Sequence, residues 1–191
     1  MPYVSHPVNL GYVCALQTGI RFAREHAFDY ILFIDADGQH DPHHIALLKS
    51  VGLAESGPDI VIGSRFVSER RYHGPLGRRL GMMLFSWLTA RLAGKRIYDT
   101  TSGFKLIQRR VFPVMCERMI GDFHSEMIVF ALLAGLKIEE VPIAVAERQH
   151  GVSMYGWLES LMYPIKTLLA ISVLWPQARR ERRKLALSHH A

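Results

Sequence analysis

The chain has 191 residues, of which 49% are hydrophobic; this is enough to bury one domain core and excludes a chain that is disordered throughout. It carries two cysteines, Cys14 and Cys116, which exclude a disulfide framework or a zinc finger and favour a reducing compartment. The formal net charge is +6, but residues 179–184 hold five basic residues and one glutamate, so most of the charge belongs to a tail.

The hydrophobic pattern alternates between helices and strands, which is typical of an α/β fold. Tyr30–Ile34 is a continuous apolar run that predicts a buried strand, and Asp41-Pro42 is a favourable helix start. In chain order the pattern predicts a helix over 9–26, a strand over 30–34, a helix over 41–55 and a strand over 59–63. It then predicts a helix over 75–93, a strand over 103–108, a helix from about 109 and a helix over 123–134. An extended pair over 137–141 and 143–148 and a helix over 156–175 follow.

Two carboxylates follow the first predicted strand. Asp35 and Asp37 lie one residue apart at its end, where ligands bind in open α/β sheets, and Gln39 adds a neutral oxygen two residues later. Such oxygen ligands suit Mg²⁺ or Mn²⁺, which usually share them with substrate phosphates. An Asp-x-Asp pair alone also fits an ordinary turn, so the assignment depends on the residues that follow, 38–42.

The segment 34–42 resembles the metal-binding signature of family 2 glycosyltransferases with the GT-A fold, and more narrowly that of polyprenyl-phosphate mannose and glucose synthases. Further segments resemble motifs of the same family in the same order, over roughly residues 9–154. They are Asn9-x-Gly11 with Ala15 and Gly19; Gly63-Ser64-Arg65; Asp99-Thr100-Thr101-Ser102-Gly103-Phe104-Lys105; and Glu140-Val141-Pro142 followed by Arg148-x-x-Gly151-x-Ser153. The resemblance implies a Rossmann-like mixed sheet flanked by helices, and it implies that the first nucleotide-binding strands are lacking.

The resemblance also implies a role for each matching residue. Asp35 contacts the nucleotide and, with Asp37 and Gln39, holds Mg²⁺ or Mn²⁺. Asp99 lies by the reaction centre, so that Asp37 and Asp99 are the catalytic candidates. The candidates for the phosphates of donor and acceptor are Arg65, Arg78, Arg79, Arg148 and Ser153. The planar fork of arginine suits phosphate, although the first three arginines taken alone fit solvated surface charge equally well.

Two other sets of polar residues have structural interpretations. Glu126 lies on an otherwise apolar helix, and burying a carboxylate is costly without a partner. We therefore expect it to pair with an arginine rather than to act in catalysis. His40, His43 and His44 lack an evident fourth ligand, which disfavours a zinc site.

The longest apolar stretch, Trp157 to Trp175, is interrupted by Glu159, Pro164 and Lys166. A spanning helix needs ~20 mostly apolar residues, so we expect none, and the N-terminus shows no signal-peptide pattern. Bulky apolar residues followed by a basic cluster favour a helix in a membrane interface over a core helix with a basic tail. Nucleic-acid binding is disfavoured because the cluster lacks interleaved aromatic residues.

We therefore predict a partial catalytic domain over 1–155, an amphipathic membrane-interface helix over 156–176 and a basic disordered tail over 177–191. The expected location is cytoplasmic, peripheral on the inner face of the membrane.

The function that the resemblance implies is metal-dependent, inverting transfer of a sugar from a nucleotide-diphosphate sugar to a polyprenyl phosphate or a related cell-envelope acceptor. One alternative is a haloacid-dehalogenase-like phosphatase with Asp35 as nucleophile and Asp37 beside it, although Gln39 replaces the hydroxyl residue expected there. Another is a truncated homologue without activity, unless an upstream segment, a second copy or a partner chain completes the sheet.

Overall fold

The structure is a computed structural model that describes residues 3–67, 76–118, 125–146 and 157–188, with the backbone alone at 76–82, 118, 157–164 and 185–188. Its elements are α1 (Tyr12–Glu25), β1 (Tyr30–Phe33), α2 (His44–Gly52), β2 (Ile60–Ser64), α3 (Leu76–Ala93), β3 (Lys105–Gln108), a 3₁₀ turn (Arg109–Val111), α4 (Phe112–Arg118), α5 (Ser125–Leu133), β4 (Ile138–Pro142) and α6 (Trp157–Ser188). Helices and strands alternate as predicted, and Gly94 and Gly135, both at positive φ, follow the ends of α3 and α5.

The four strands form one mixed sheet in the order β1-β3-β2-β4. β3 is antiparallel to both β1 and β2, whereas β2 and β4 are parallel. The carboxyl ends of β1, β2 and β4 therefore meet at one edge, and β3 begins there. The predicted α/β fold with a mixed sheet is confirmed. Among the described strands β1 pairs with β3 alone, so its outer edge is available to a further strand.

Both faces of the sheet are covered. Ile62 and Ile107 belong to a buried apolar cluster on one face with residues of α1, α4 and α5. Their neighbours Val61 and Leu106 belong to a second cluster on the other face, with Leu48 of α2. The alternation follows from the period of two in a strand, and it fixes the register that positions the site.

The C-terminal region differs from the prediction. A disordered tail from residue 177 is wrong as far as Ser188, because α6 continues through Pro176. Its buried residues recur every three or four positions and face α5: Thr167, Ile171, Leu174, Ala178 and Glu181. Pro176 lies on the exposed side, where water can satisfy the carbonyl group left without a backbone N–H donor. Tertiary packing thus extends the helix past a residue that predicts its end.

The second half of the predicted extended pair also differs. Within its described residues, 143–146, it forms only an isolated antiparallel bridge between Val145 and His40. No helix in the described part of the chain has the length and apolar character needed to cross a bilayer.

Candidate functional site

The loop after β1 carries the predicted metal ligands, and hydrogen bonds shape it locally. The backbone N–H of Gln39 donates to Asp37 Oδ1 at 3.1 Å, across Gly38 at φ +76°. Gln39 is further bound to Ala146, whose backbone N–H donates to the Gln39 carbonyl at 3.0 Å and whose carbonyl accepts the side-chain Nε2 at 3.3 Å. With the amide nitrogen so engaged, the amide oxygen is the atom that remains to face a cation.

Asp35 packs on the Ser-Gly-Phe segment, which is 68 positions further along the chain. A side chain at Gly103 would overlap the Asp35 carboxylate, so the backbone at 103 lies directly against that acid. His40 Nε2 is 3.7 Å from Asp35 Oδ2, and the His40 ring lies 5.1 Å from that of Phe104. The acidic motif and the Ser-Gly-Phe motif are thus two parts of one site, and the Asp35 side chain keeps 41% of its surface exposed.

Arg65 and Asp99 form a two-point ion pair at the end of β2. Arg65 Nε donates to Asp99 Oδ2 and Nη2 donates to Oδ1, both at 2.7 Å, and the Arg65 backbone N–H donates to Oδ2 at 3.1 Å. Nη2 also donates to Thr101 Oγ1 at 3.0 Å. Because Asp99 is fully buried and the Arg65 side chain is 13% exposed, the alternative of solvated surface charge is wrong for Arg65. Asp99 here orients an arginine, and its catalytic role stays a prediction.

Glu140, on β4, holds the backbone on which Asp99 stands. Its two carboxylate oxygens accept the backbone N–H groups of Tyr98 and Asp99, each at 2.8 Å. Burial raises the pKa of Glu140, and those two hydrogen bonds oppose the rise. Sequence reasoning gave Glu140 only as part of a motif. An acid near the carboxyl end of a predicted strand was the signal that could have suggested this positioning role.

Ser102 and Lys105 fasten the same loop to β2. Ser102 Oγ donates to the Gly63 carbonyl at 2.6 Å, and Lys105 Nζ donates to the Ser102 carbonyl. Burial lowers the pKa of Lys105 to about 8, against the opposing effects of Asp99 and Asp35. Sequence reasoning assigned Lys105 no role, since a lysine at the start of a strand looks like an exposed residue.

Glu126 is 3% exposed, so its expected interior position is confirmed. Its pairing with an arginine stays a prediction, and the Glu126 charge raises the pKa of Lys105. Glu126 stands beside the network and is one of the charges that keep the Lys105 ammonium protonated.

The histidines make separate contacts. His43 Nδ1 is 2.7 Å from Asp41 Oδ1, and His44 Nε2 is 3.4 Å from the Ala144 backbone N–H. Hydrogen bonds from His43 lower the pKa of Asp41. In the described ranges, no group of three or more His, Cys, Asp or Glu residues is arranged to hold a metal ion. Two partly exposed carboxylates with an amide oxygen instead suit a hard cation that keeps water and phosphate ligands.

The side chains of the remaining predicted site residues lie outside the described part of the structure. Arg78 and Arg79 lie in the first turn of α3, and their side chains are outside the described part. Arg148 and Ser153 lie outside the described residues altogether. Their assignment to phosphate binding stays a prediction.

Comparison with known proteins gives the family. The family model described as glycosyl transferase family 2 matches residues 2–114. Similar proteins include the UDP-N-acetylglucosamine–dolichyl-phosphate N-acetylglucosaminyltransferase of Methanococcus voltae (29% identity over 78% of this chain and 61% of the relative), the polyprenol monophosphomannose synthase of Mycolicibacterium smegmatis (28%, 75% and 55%) and the undecaprenyl-phosphate mannosyltransferase of Micrococcus luteus (30%, 71% and 56%). The alignments thus span little more than half the length of these relatives. On the family model, which covers most of the sequence and includes the Asp35 loop, the chain belongs to glycosyl transferase family 2.

Proposed function

We propose that this chain carries the catalytic site of an enzyme that transfers a sugar from a nucleotide-diphosphate sugar to a polyprenyl phosphate, with inversion. The observation that carries the proposal is the convergence of Asp35, Gly103 and the Arg65–Asp99 pair at one edge of the sheet. Relatives named as dolichyl-, polyprenol- and undecaprenyl-phosphate sugar transferases support the substrate class. The phosphatase alternative loses its support, because the stretch that matches glycosyl transferase family 2, residues 2–114, includes the Asp35–Asp37 motif.

In this proposal Asp35, Asp37 and the amide oxygen of Gln39 hold Mg²⁺ or Mn²⁺. The bound cation supplies charge stabilisation for the diphosphate leaving group. The hydrogen bond to the Ala146 carbonyl engages the amide nitrogen of Gln39, which leaves the amide oxygen to bind the cation.

The acceptor phosphate is already anionic at neutral pH, so its attack requires little help from a general base. This agrees with an Asp99 whose two oxygens accept hydrogen bonds from Arg65. We assign Asp99 to orienting Arg65, and Arg65 to a phosphate oxygen. Arg78, Arg79, Arg148 and Ser153 are the further phosphate ligands that this proposal includes.

The test is transfer of labelled sugar from UDP- and GDP-activated donors to a polyprenyl phosphate in the presence of Mg²⁺ or Mn²⁺. Asp37→Ala is expected to lower transfer by at least about a hundredfold, because the leaving group loses its cation. Asp41→Asn, a partly exposed acid of the same loop that binds His43, is the matched control and should retain activity. Unchanged turnover in Asp37→Ala would contradict the assignment. A wild-type chain that binds neither donor would show that this chain alone is not a complete enzyme.

We also propose that the enzyme is peripheral on the cytoplasmic, inner face of an anionic membrane, where the lipid acceptor resides. Phe85, Val129 and Ile171 pack α3, α5 and α6 together, and large apolar side chains remain exposed on the two outer helices. They are Met83, Leu84 and Trp87 on α3, and Ile165, Leu168, Leu169 and Val173 on α6. Further along α6, its five basic residues between 179 and 184 are all exposed, which complements anionic headgroups.

Co-sedimentation with vesicles tests this location. The wild type should bind vesicles that contain phosphatidylglycerol more strongly than neutral ones. Leu169→Glu, at a side chain that is 64% exposed, should weaken binding several-fold, while Leu53→Glu at a 44% exposed position after α2 should not. Equal binding by both variants would contradict the proposed surface.

A further inference from the structure

Lys105 lies at the centre of the sheet edge where the carboxyl ends of β1, β2 and β4 meet. It is the first residue of β3, the strand between β1 and β2, and it is paired with Phe33 on one side and Ile62 on the other. Because β3 runs antiparallel to both neighbours, Lys105 lies where the Asp35 loop leaves β1 and where Arg65 leaves β2. One ammonium group is therefore set between the two halves of the site.

This ammonium is held in place and is not a solvated surface charge. Lys105 is 3% exposed, and Nζ donates to the Ser102 carbonyl. Ser102 precedes Gly103, against which the Asp35 carboxylate packs. Burying a lysine carries a desolvation cost. The negative charges of Asp99, Asp35 and Glu126 offset part of this cost.

The positive charge of Lys105 acts in opposite directions on the binding of the free metal ion and of the metal–diphosphate complex. A bare Mn²⁺ at Asp35 and Asp37 carries two positive charges, which a nearby ammonium repels. The same cation bound to a diphosphate has a net negative charge, which the ammonium attracts. The Arg65–Asp99 pair is nearly self-neutralising, since its carboxylate and guanidinium bind at two points. Lys105 therefore contributes a positive charge to this discrimination that the Arg65–Asp99 pair does not.

We propose that Lys105 is a specificity-determining residue that makes the site select the metal–diphosphate complex over the free metal ion. The inference rests on the proposed function, because it takes Asp35, Asp37 and Gln39 as the metal ligands. A purely structural Lys105, one that only anchors the Ser102 carbonyl, would affect both ligand forms in the same direction.

The experiment measures the binding of Mn²⁺ alone and of Mn²⁺ with inorganic diphosphate, by calorimetry and by the electron paramagnetic resonance of free Mn²⁺. Lys105→Met removes the charge and keeps the volume. Lys105→Gln removes the charge and keeps a donor for Ser102. Both should bind free Mn²⁺ about fourfold more tightly, the effect of deleting a unit charge that lies about 10 Å from a divalent ion in water. They should bind the complex, whose net charge is about −1 to −2, about twofold to fourfold more weakly.

Two controls isolate the charge at this position. Lys105→Arg keeps it and should keep the wild-type preference. Lys95→Met removes a lysine that also donates to a carbonyl, that of Ile138 at 2.5 Å, but at the amino end of β4. It should leave both affinities unchanged.

Each outcome decides the proposal. Opposite shifts in the two neutral variants support it. Shifts of the same sign, no shift, or failure of both neutral variants to fold would assign Lys105 a structural role. If the wild type binds Mn²⁺ neither alone nor with diphosphate, the proposed function fails together with this inference. If the wild type binds Mn²⁺ normally but the affinities of the two neutral variants do not shift in opposite directions, only this inference is overturned and the proposed function stands.

Discussion

Two aspartate–arginine pairs stand at opposite ends of β2 and differ in their surroundings. At the amino end, Asp59 accepts the Lys137 backbone N–H at 2.6 Å and pairs with Arg110, whose side chain is 56% exposed. At the carboxyl end, Asp99 is fully buried and Arg65 is 13% exposed. In the first pair the arginine is exposed and only the Asp59 side chain, at 10% exposure, is buried. The second is an interior charge pair, which is costly to break because removal of one partner leaves the other charge buried.

The largest difference should appear when each arginine is removed. Arg65→Ala leaves the Asp99 carboxylate buried without its main partner, which should cost about 3–5 kcal/mol of unfolding free energy and abolish sugar transfer. Urea denaturation and the transfer assay measure the two effects. A stable variant with wild-type turnover would show that the interior pair has no special role.

The contact between the two motifs is tested by Gly103→Ala. The added methyl group overlaps the Asp35 carboxylate, so it should displace that acid and lower transfer by about tenfold to a hundredfold. Gly19→Ala in α1 is the control, since its added carbon meets only Ile31 at 3.6 Å. Equal activity in both variants would place Asp35 outside the reaction.

Glu140 holds the backbone of Asp99, and the raised pKa of its carboxyl group predicts that stability depends on pH. Burial raises its pKa above 4.5 in the folded state, so the native protein binds more protons than the unfolded chain does. Its contribution to stability is therefore full below pH ~4.5 and is lost as the pH rises through the folded-state pKa. Urea denaturation across this range should show wild-type stability falling relative to Glu140→Gln as the pH rises. Parallel profiles would contradict the assignment.

Arg110→Ala should have the smallest effect. Arg110 is 56% exposed, and the buried Asp59 keeps its hydrogen bond from the Lys137 backbone N–H, so loss of the arginine should cost only about 1–2 kcal/mol. Sugar transfer should stay at the wild-type level. A loss as large as that of Arg65→Ala would remove the distinction between the two ends of β2.

Much of the fold followed from local patterns. The apolar run over 30–34 became β1 at Tyr30–Phe33, of which only Phe33 is buried, and the Asp35 loop lies at its carboxyl end as predicted. Position along the chain could not reveal that Gly103 lies under Asp35 or that Glu140 binds the backbone at 98–99, because these contacts depend on strand register. Lys105 was missed for the same reason, since its burial comes from the strands on both sides of it.

The C-terminal region shows where local rules fail. Pro176 and a run of basic residues predict an ending and a disordered tail. The buried face of α6, with Leu174 and Ala178 against α5, continues across both features. Packing on a neighbouring helix therefore outweighed a residue that is unfavourable in isolation.

The central place of β3 also constrains how the protein is made. β1 and β2 have no hydrogen bonds to each other in the sheet, since β3 lies between them. A nascent chain that has not yet released Lys105–Gln108 from the ribosome consequently has two apolar strands with no partner among those described. The carboxylates at 35 and 37 therefore acquire their setting only after this later segment has emerged and paired with both strands.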